Sequence, residues 1–199
     1  IKGSKETITI ATTRPETMFG DQAIAVHPSD NRYVDLIGQD VIIPIIGRSI
    51  KIITDEYADP EQGSGAVKIT PAHDFNDFEV GKRNNLEMLS ILDIDGKLNG
   101  NVDKKWQGLD RFEARSKLLK MLSEEGYLEK EEKYSNSVPH GDRSDVIIEP
   151  YLTEQWYVDA KTLAKPALDS VKSGDMKFIP SNWSKTYYEW LENIQPWCI

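Results

Sequence analysis

Gly63-Ser-Gly-Ala-Val-Lys-Ile-Thr-Pro-Ala-His-Asp-Phe-Asn-Asp-Phe78 reads as a small-residue turn, a strand, a stop and a helix start. Gly63, Ser64 and Gly65 permit a tight turn with unusual backbone angles. Ala66 to Thr70 follows as a strand, with Val67 and Ile69 toward a core and Lys68 and Thr70 on the other face. Pro71 ends the strand and biases Thr70 to an extended conformation. Asp74 stands where a helix N-cap belongs, and Asp77 lies three residues on. Lys68, Thr70, His73, Asp74 and Asp77 are thereby gathered near one helix start. Each has an ordinary structural explanation alone: cap, first-turn charge, solvated strand residue. Together, behind a glycine turn, they read as a polar site on rigid elements.

The remainder of the chain sets bounds on that site. With 199 residues there is room for one good core, or for a main domain and a small satellite. Hydrophobic content of 39% and charged content of 29% suit a soluble globular chain. A net charge of -9 argues against broad, non-specific nucleic-acid binding, which depends on neutralising many phosphates. It leaves room for gripping a short single-stranded end. The single cysteine, Cys198, excludes a disulfide framework and a cysteine metal site. His27, His73 and His140 are too scattered for a zinc motif. No apolar run is long enough to span a membrane, and the first residues do not read as a signal peptide. The chain begins without Met and ends on Trp197-Cys-Ile199, so both ends read as cut from a longer protein.

Upstream of the central stretch, Glu6 to Thr12 alternates and predicts a strand. Thr12-Thr-Arg-Pro-Glu-Thr17 then forms a hydroxyl-rich loop with one fixed cation, Arg14, stiffened by Pro15. Such a loop suits a phosphate, a ribose or a carbonyl; Thr17 also suits a plain helix cap. Ala23 to Val26 predicts a strand, and Pro28 to Ile37 a short helix capped by Ser29. Val41 to Ile46 and Ser49 to Thr54 predict a hairpin, with Pro44 marking an edge. Downstream, Phe75 to Asn85 predicts a helix, Leu89 to Ile94 a strand, and Asp110 caps a helix with Phe112, Leu118, Leu119 and Leu122 inward. Tyr134 to Glu149 predicts a strand pair around His140-Gly-Asp-Arg143; His140, with no partner in view, reads as a loop hydrogen-bonder. Thr153 to Val158 predicts a strand, Thr162 to Ser173 a helix containing Pro166, and Met176 to Ile179 an extended run. Asn182 to Ile194 predicts a helix whose Trp183, Tyr187, Trp190, Leu191 and Ile194 form one apolar stripe. Many short strands with inserted helices and no βαβ alternation predict a mainly β, α+β architecture around a barrel-like core. No dinucleotide fingerprint, phosphate-binding P-loop or nucleophile elbow is present.

Three motifs carry a family resemblance: Thr12-Thr-Arg-Pro-Glu-Thr17, Lys68-Ile-Thr-Pro-Ala-His-Asp-Phe-Asn-Asp77, and Gly141-Asp-Arg143 with Glu149-Pro150 and Gln155-Trp-Tyr-Val158. The chain resembles the editing domain of the valyl-tRNA synthetases, the connective peptide 1 inserted in the catalytic domain of these class I enzymes. The resemblance covers nearly the whole chain. Isoleucyl and leucyl relatives share the Thr-rich loop and the later Asp but differ around them. Isoleucyl relatives commonly carry cysteines near the His140 region, and this chain has none there.

The resemblance implies a closed β-barrel with helical insertions over residues 1-150 and an extension over 151-199 that returns toward an aminoacylation domain. It implies hydrolysis of threonine misattached to the valine tRNA. Valine against threonine is the standard instance of a pocket that cannot reject an isostere by shape, so a second pocket must select the hydroxyl. By resemblance, Asp74 holds the substrate ammonium and Asp77 accepts the threonine hydroxyl. Thr12, Thr13, Arg14, Thr17, Lys68 and Thr70 line the ester and the terminal adenosine, with Lys68 toward the oxyanion. Water is the nucleophile; His73 and the substrate's own ribose hydroxyl stand as candidate bases. The implied partners are the 3′ end of tRNA(Val) carrying threonine and the remainder of the synthetase, with no membrane, a monomeric domain and a cytoplasmic setting. No cofactor or metal is expected in this domain; ATP and Mg belong to the parent enzyme, whose His-Ile-Gly-His and Lys-Met-Ser-Lys-Ser signatures do not appear here. The alternatives are an isoleucyl-type editor that removes valine, and a non-catalytic module that docks the tRNA 3′ end.

Overall fold

The computed structural model describes residues 1–199 and divides into two compact units, Ile1–Leu152 and Thr153–Ile199. In the first unit, β1 (Ala23–Val26), β2 (Asp40–Ile42), β3 (Ser49–Thr54) and β4 (Ala66–Ile69) form one sheet in the order β2-β3-β1-β4. The expected hairpin is there: β2 and β3 run antiparallel, with Val41 opposite Ile50. β1 pairs in parallel with β3, Ile24 opposite Ile52, and antiparallel with β4, Ile24 opposite Lys68.

This sheet is open, and the expected closed barrel does not form. The architecture is a small mixed α/β unit with β2 and β4 as free edges. Closure needs enough strands at a consistent tilt and stagger for the two edges to meet, and this sheet has four. β2 has three residues, cut short ahead of Pro44, and β4 has four, with Pro71 shortly beyond it. Glu6 to Thr12 enters no ladder, although Ile8 and Ile10 still pack on the core. Leu89 to Ile94 makes only the isolated bridge Leu92–Leu98, and the Tyr134 to Glu149 run only His140–Ile147.

Both faces of the sheet are covered. Ile24, Val26, Ile50 and Ile52 share one cluster with Phe19, Ile91, Leu98, Trp106 and Leu118. Ala23, Ala25 and Ile69 share another with Ala58 and Val80. Double coverage explains why Ala-Ile-Ala-Val lacks polar alternation. Lys68 lies on the Ile24 face and is buried there, so the face opposite Ile69 is not a solvent face.

Helix α1 (Phe75–Arg83) begins as its cap dictates, with Asp74 Oδ1 accepting the N–H groups of Asn76 at 2.8 Å and Asp77 at 3.1 Å. Val80 is buried and Phe78 half-buried. Gly81 is tight against Pro71: a Cβ there would stand 2.7 Å from Pro71 Cβ. Helix α2 (Arg111–Glu124) is capped by Asp110, whose Oδ1 accepts Phe112 N–H at 2.8 Å. It buries Ala114, Leu118 and Leu122, while Phe112 stays exposed. Pro28 to Ile37 yields one 3₁₀ turn, Val34–Leu36, not a helix. Ser29, the expected cap, instead pairs with His27 Nδ1 at 2.7 Å.

In the second unit β5 (Tyr157–Val158) pairs antiparallel with β6 (Trp197–Cys198). Helix α3 (Ala160–Ser173) is capped by Asp159 and stops at Gly174, whose φ of +85° suits a residue without Cβ. Helix α4 (Trp183–Glu192) is tied to α3 by Lys172 Nζ–Glu192 Oε1 at 2.8 Å. Met176 to Ile179 is not a strand. No helix is long and apolar enough to cross a membrane.

Candidate functional site

The end of β4 and the start of α1 meet through Asp77. Asp77 is buried, and its Oδ2 accepts Thr70 N–H at 2.8 Å. Its Oδ1 takes no hydrogen bond from the protein and is not sealed off. Burial pushes the Asp77 carboxyl up to about 6; the Thr70 N–H and the Lys68 ammonium oppose this, and the Asp74 and Asp21 charges add to it. Asp74 is half-buried one turn earlier, with Oδ1 occupied by the cap. The two carboxylates therefore sit together at one helix N-terminus, where unpaired N–H groups favour anions.

Behind them lies a closed polar knot. Lys68 Nζ donates to Thr17 Oγ1 at 2.7 Å, Thr70 Oγ1 at 2.5 Å and Asp21 Oδ1 at 3.1 Å. Thr70 Oγ1 donates to Asp21 Oδ1 at 2.5 Å, and Thr17 Oγ1 to Arg14 O at 2.9 Å. An ammonium has three donors. All three of Lys68 are spent inside the protein, which leaves none aimed at a substrate oxyanion.

The Thr-rich loop docks beside the knot. Pro15–Gly20 forms a buried 3₁₀ turn, as the ring of Pro15 at its first position favours. Thr17 joins the knot and caps no α-helix. Arg14 Nη1 donates to His73 O at 2.6 Å, which ties the loop to the central stretch, and Arg14 Nη2 pairs with Glu149. Thr12 Oγ1 accepts Arg14 N–H at 3.0 Å; Thr12 and Thr13 are exposed at the loop mouth. Glu16, 1% exposed, receives a two-pronged contact from Arg115, Nε to Oε2 at 2.7 Å and Nη2 to Oε1 at 2.6 Å.

His73 is drawn into the interior. It is fully buried, and its Nε2 accepts Ile91 N–H at 2.8 Å, which places the proton on Nδ1. Burial, with the Arg14 and Lys68 charges, pushes the imidazole down to about 4. The base-forming lone pair is thus occupied, and the ring holds the backbone of Ile91. His140 lies apart and exposed, 3.1 Å from Asp145 Oδ1, in the role of a loop hydrogen-bonder.

The structure therefore brings together Arg14, Thr17, Lys68, Thr70, Asp74 and Asp77, and it adds residues that sequence reading passed over. Asp21 holds the knot and Arg115 holds the loop through Glu16, while Arg111 pairs with the Glu149 that holds Arg14, Nε to Oε1 at 2.9 Å; Glu16 and Glu149 stand in the sequence motifs but carried no role there. The one local signal was Asp21 directly after Gly20: a Cβ on Gly20 would fall 2.9 Å from Thr70 Cγ2, so the glycine lets this turn press on Thr70. Tyr57 is a further neighbour; burial and the Asp77 and Asp74 charges push its phenol up. A cavity of about 170 Å³ lined by Phe19, Arg48, Asn101 and Trp106 shares no lining residue with this cluster, although its Arg48 feels the Asp21 charge. Nowhere do three His, Cys, Asp or Glu side chains converge as metal ligands would.

Comparison with known proteins adds an independent finding. The family described as tRNA synthetases class I (I, L, M and V) matches residues 17–199. A valine–tRNA ligase of Pelagibacter ubique is 60% identical over 199 residues, all of this chain and 23% of that protein. Those of Caulobacter vibrioides and Rhodopseudomonas palustris are 58% and 56% identical, over 98% and 96% of this chain and 22% of each relative. The chain spans less than a quarter of the length of these curated relatives.

Proposed function

The chain belongs to the class I tRNA synthetases of the I, L, M and V group, and from that premise we propose that it is the editing module of a valine–tRNA ligase. Its reaction is hydrolysis of threonine esterified to the 3′ end of tRNA(Val). The single observation that carries this reading is the pair Asp74 and Asp77 at one helix start, with Asp77 Oδ1 unclaimed while Oδ2 is fixed by Thr70 N–H.

In this reading the threonine hydroxyl donates to Asp77 Oδ1 and the α-ammonium approaches Asp74. Valine offers no hydroxyl and leaves Asp77 Oδ1 desolvated without a partner, a penalty of about 1–3 kcal/mol, or roughly five- to 150-fold in rate. Thr17 and Thr70 frame the ester, and Lys68 orders their hydroxyls from behind. Arg14, with Thr12 and Thr13, forms the rim toward the terminal adenosine. Water attacks the ester carbonyl, and with His73 Nε2 occupied the ribose hydroxyl of the substrate is the better-supported proton acceptor. The module works without a cofactor of its own; ATP and Mg serve the synthetic site of the ligase. It works as a monomeric part of the synthetase in the cytoplasm.

The test is deacylation of threonyl-tRNA(Val) against valyl-tRNA(Val) and valyl-tRNA(Ile). Preferential hydrolysis of the threonyl ester is expected. Preference for valyl-tRNA(Ile) selects the isoleucyl-type editor, and binding of the tRNA 3′ end without hydrolysis selects the docking module.

A further inference from the structure

We propose that Asp21 is the positioning residue of this site: its buried carboxylate holds the Lys68 ammonium and the Thr70 hydroxyl inside the protein, so that Asp74 and Asp77 present an uncancelled negative face to an ammonium-bearing ester. The ester identity rests on the editing reading; the positioning does not.

Asp21 is 2% exposed and lies in the turn before β1. One oxygen, Oδ1, takes both the Thr70 hydroxyl and the Lys68 ammonium. Those two residues are the handles of Asp77: Thr70 fixes it through its backbone N–H, and Lys68 acts on it by charge. The turn is seated by Gln22 N–H to Ile69 O at 2.9 Å and by the missing Cβ of Gly20. A buried ammonium without a counter-charge is costly and acts at long range in a low dielectric. Without Asp21, the nearest anions for Lys68 to cancel are those meant for the substrate. The groups that face Asp77 are Lys68 from β4, Asp74 from its own cap, Asp21 from the turn before β1 and Tyr57 from the loop after β3. Only Lys68 among them is a cation, while Asp21 itself also faces the Arg48 guanidinium from the turn before β3.

The experiment is Asp21→Asn in the full chain, which keeps an acceptor oxygen and the volume but removes the charge. Side-chain carboxyl ¹³C NMR follows the Asp77 titration, with no substrate needed. The Asp77 midpoint is expected to fall by about 0.5 or more, because the lowering effect of Lys68 is no longer offset. Threonyl-tRNA(Val) deacylation should show KM raised by about tenfold with kcat nearly unchanged, since the ammonium charge is constant along the reaction. Asp21→Glu, which keeps the charge, should return KM toward the wild-type value. An unmoved midpoint in folded Asp21→Asn overturns the proposal, and so do equal KM values for the two variants. Where Asp21→Asn does not fold, Lys68→Met tests the coupling from the other side: the Asp77 midpoint must rise, and an unmoved one overturns the proposal. A moved midpoint in a chain that deacylates nothing upholds Asp21 and removes the editing reading instead.

Discussion

Asp77 accepts the backbone N–H of Thr70 at 2.8 Å, so a single carboxylate joins the first turn of α1 to the end of β4. The contact makes Asp77 both a fold element and the proposed selector, and the two roles separate by measurement.

At pH 5, below the Asp77 midpoint of about 6, Asp77→Ala orphans the Thr70 N–H in a buried place, at a cost of about 1–3 kcal/mol in urea unfolding. The same change should abolish preference for the threonyl over the valyl ester. Retained discrimination in a folded variant would remove Asp77 from selection.

Asp74 also carries two roles. Asp74→Ala loses the α1 cap, about 1 kcal/mol, together with hydrolysis. Asp74→Ser keeps a capping oxygen but not the charge. We expect near-normal stability and strongly reduced deacylation for the serine variant; normal turnover would reduce Asp74 to a cap.

His73 and Asp77 make opposed contributions to stability against pH. The imidazole is held down to about 4 from an ordinary 6.5, so its contribution is complete above 6.5 and is lost as pH falls through 4. The Asp77 carboxyl is held up to about 6, so its contribution is complete below 3.8 and is lost as pH rises through 6. On acidification from 6.5 to 4 the two partly cancel. Asp77→Asn should therefore steepen the loss of stability across that window, and His73→Gln should flatten or reverse it. Urea midpoints at pH 7 and pH 5 decide; parallel curves for all three proteins would refute the assignment.

Arg115 compensates a carboxylate that is almost wholly buried, Glu16. Arg115→Met should cost the low end of the roughly 3–5 kcal/mol expected for breaking a buried pair, since Arg115 is partly exposed and Arg14 Nε stays 3.7 Å from Glu16. The double change Glu16→Leu with Arg115→Met should recover most of it in a thermodynamic cycle. Additive losses would show that the pair is not coupled.

Local chemistry made several elements legible in the sequence. Asp74 and Asp110 cap α1 and α2 as read, because a cap acts over two or three residues. Pro44 and Pro71 limit β2 and β4 because a proline acts on its own bond and the residue before it. The Ser29 cap failed because its hydroxyl found His27 first. Glu6 to Thr12 has the alternation of a strand, but alternation records which side is buried and not whether a neighbouring backbone is free to pair.

What the amino-acid order determined by itself was the central unit: glycine turn, strand, proline stop, and a helix opened by Asp74 with Asp77 in its first turn. Each of those features is fixed by contacts a few residues long. Only the tertiary structure decided that the sheet stays open, that Lys68 faces inward, and that Asp21 and Glu149 hold it and Arg14. Those pairings span 47 and 135 residues. Nothing in the neighbouring residues of either partner specifies the other; packing of the whole core brings them into reach, and burial then makes an unpaired charge too costly to leave.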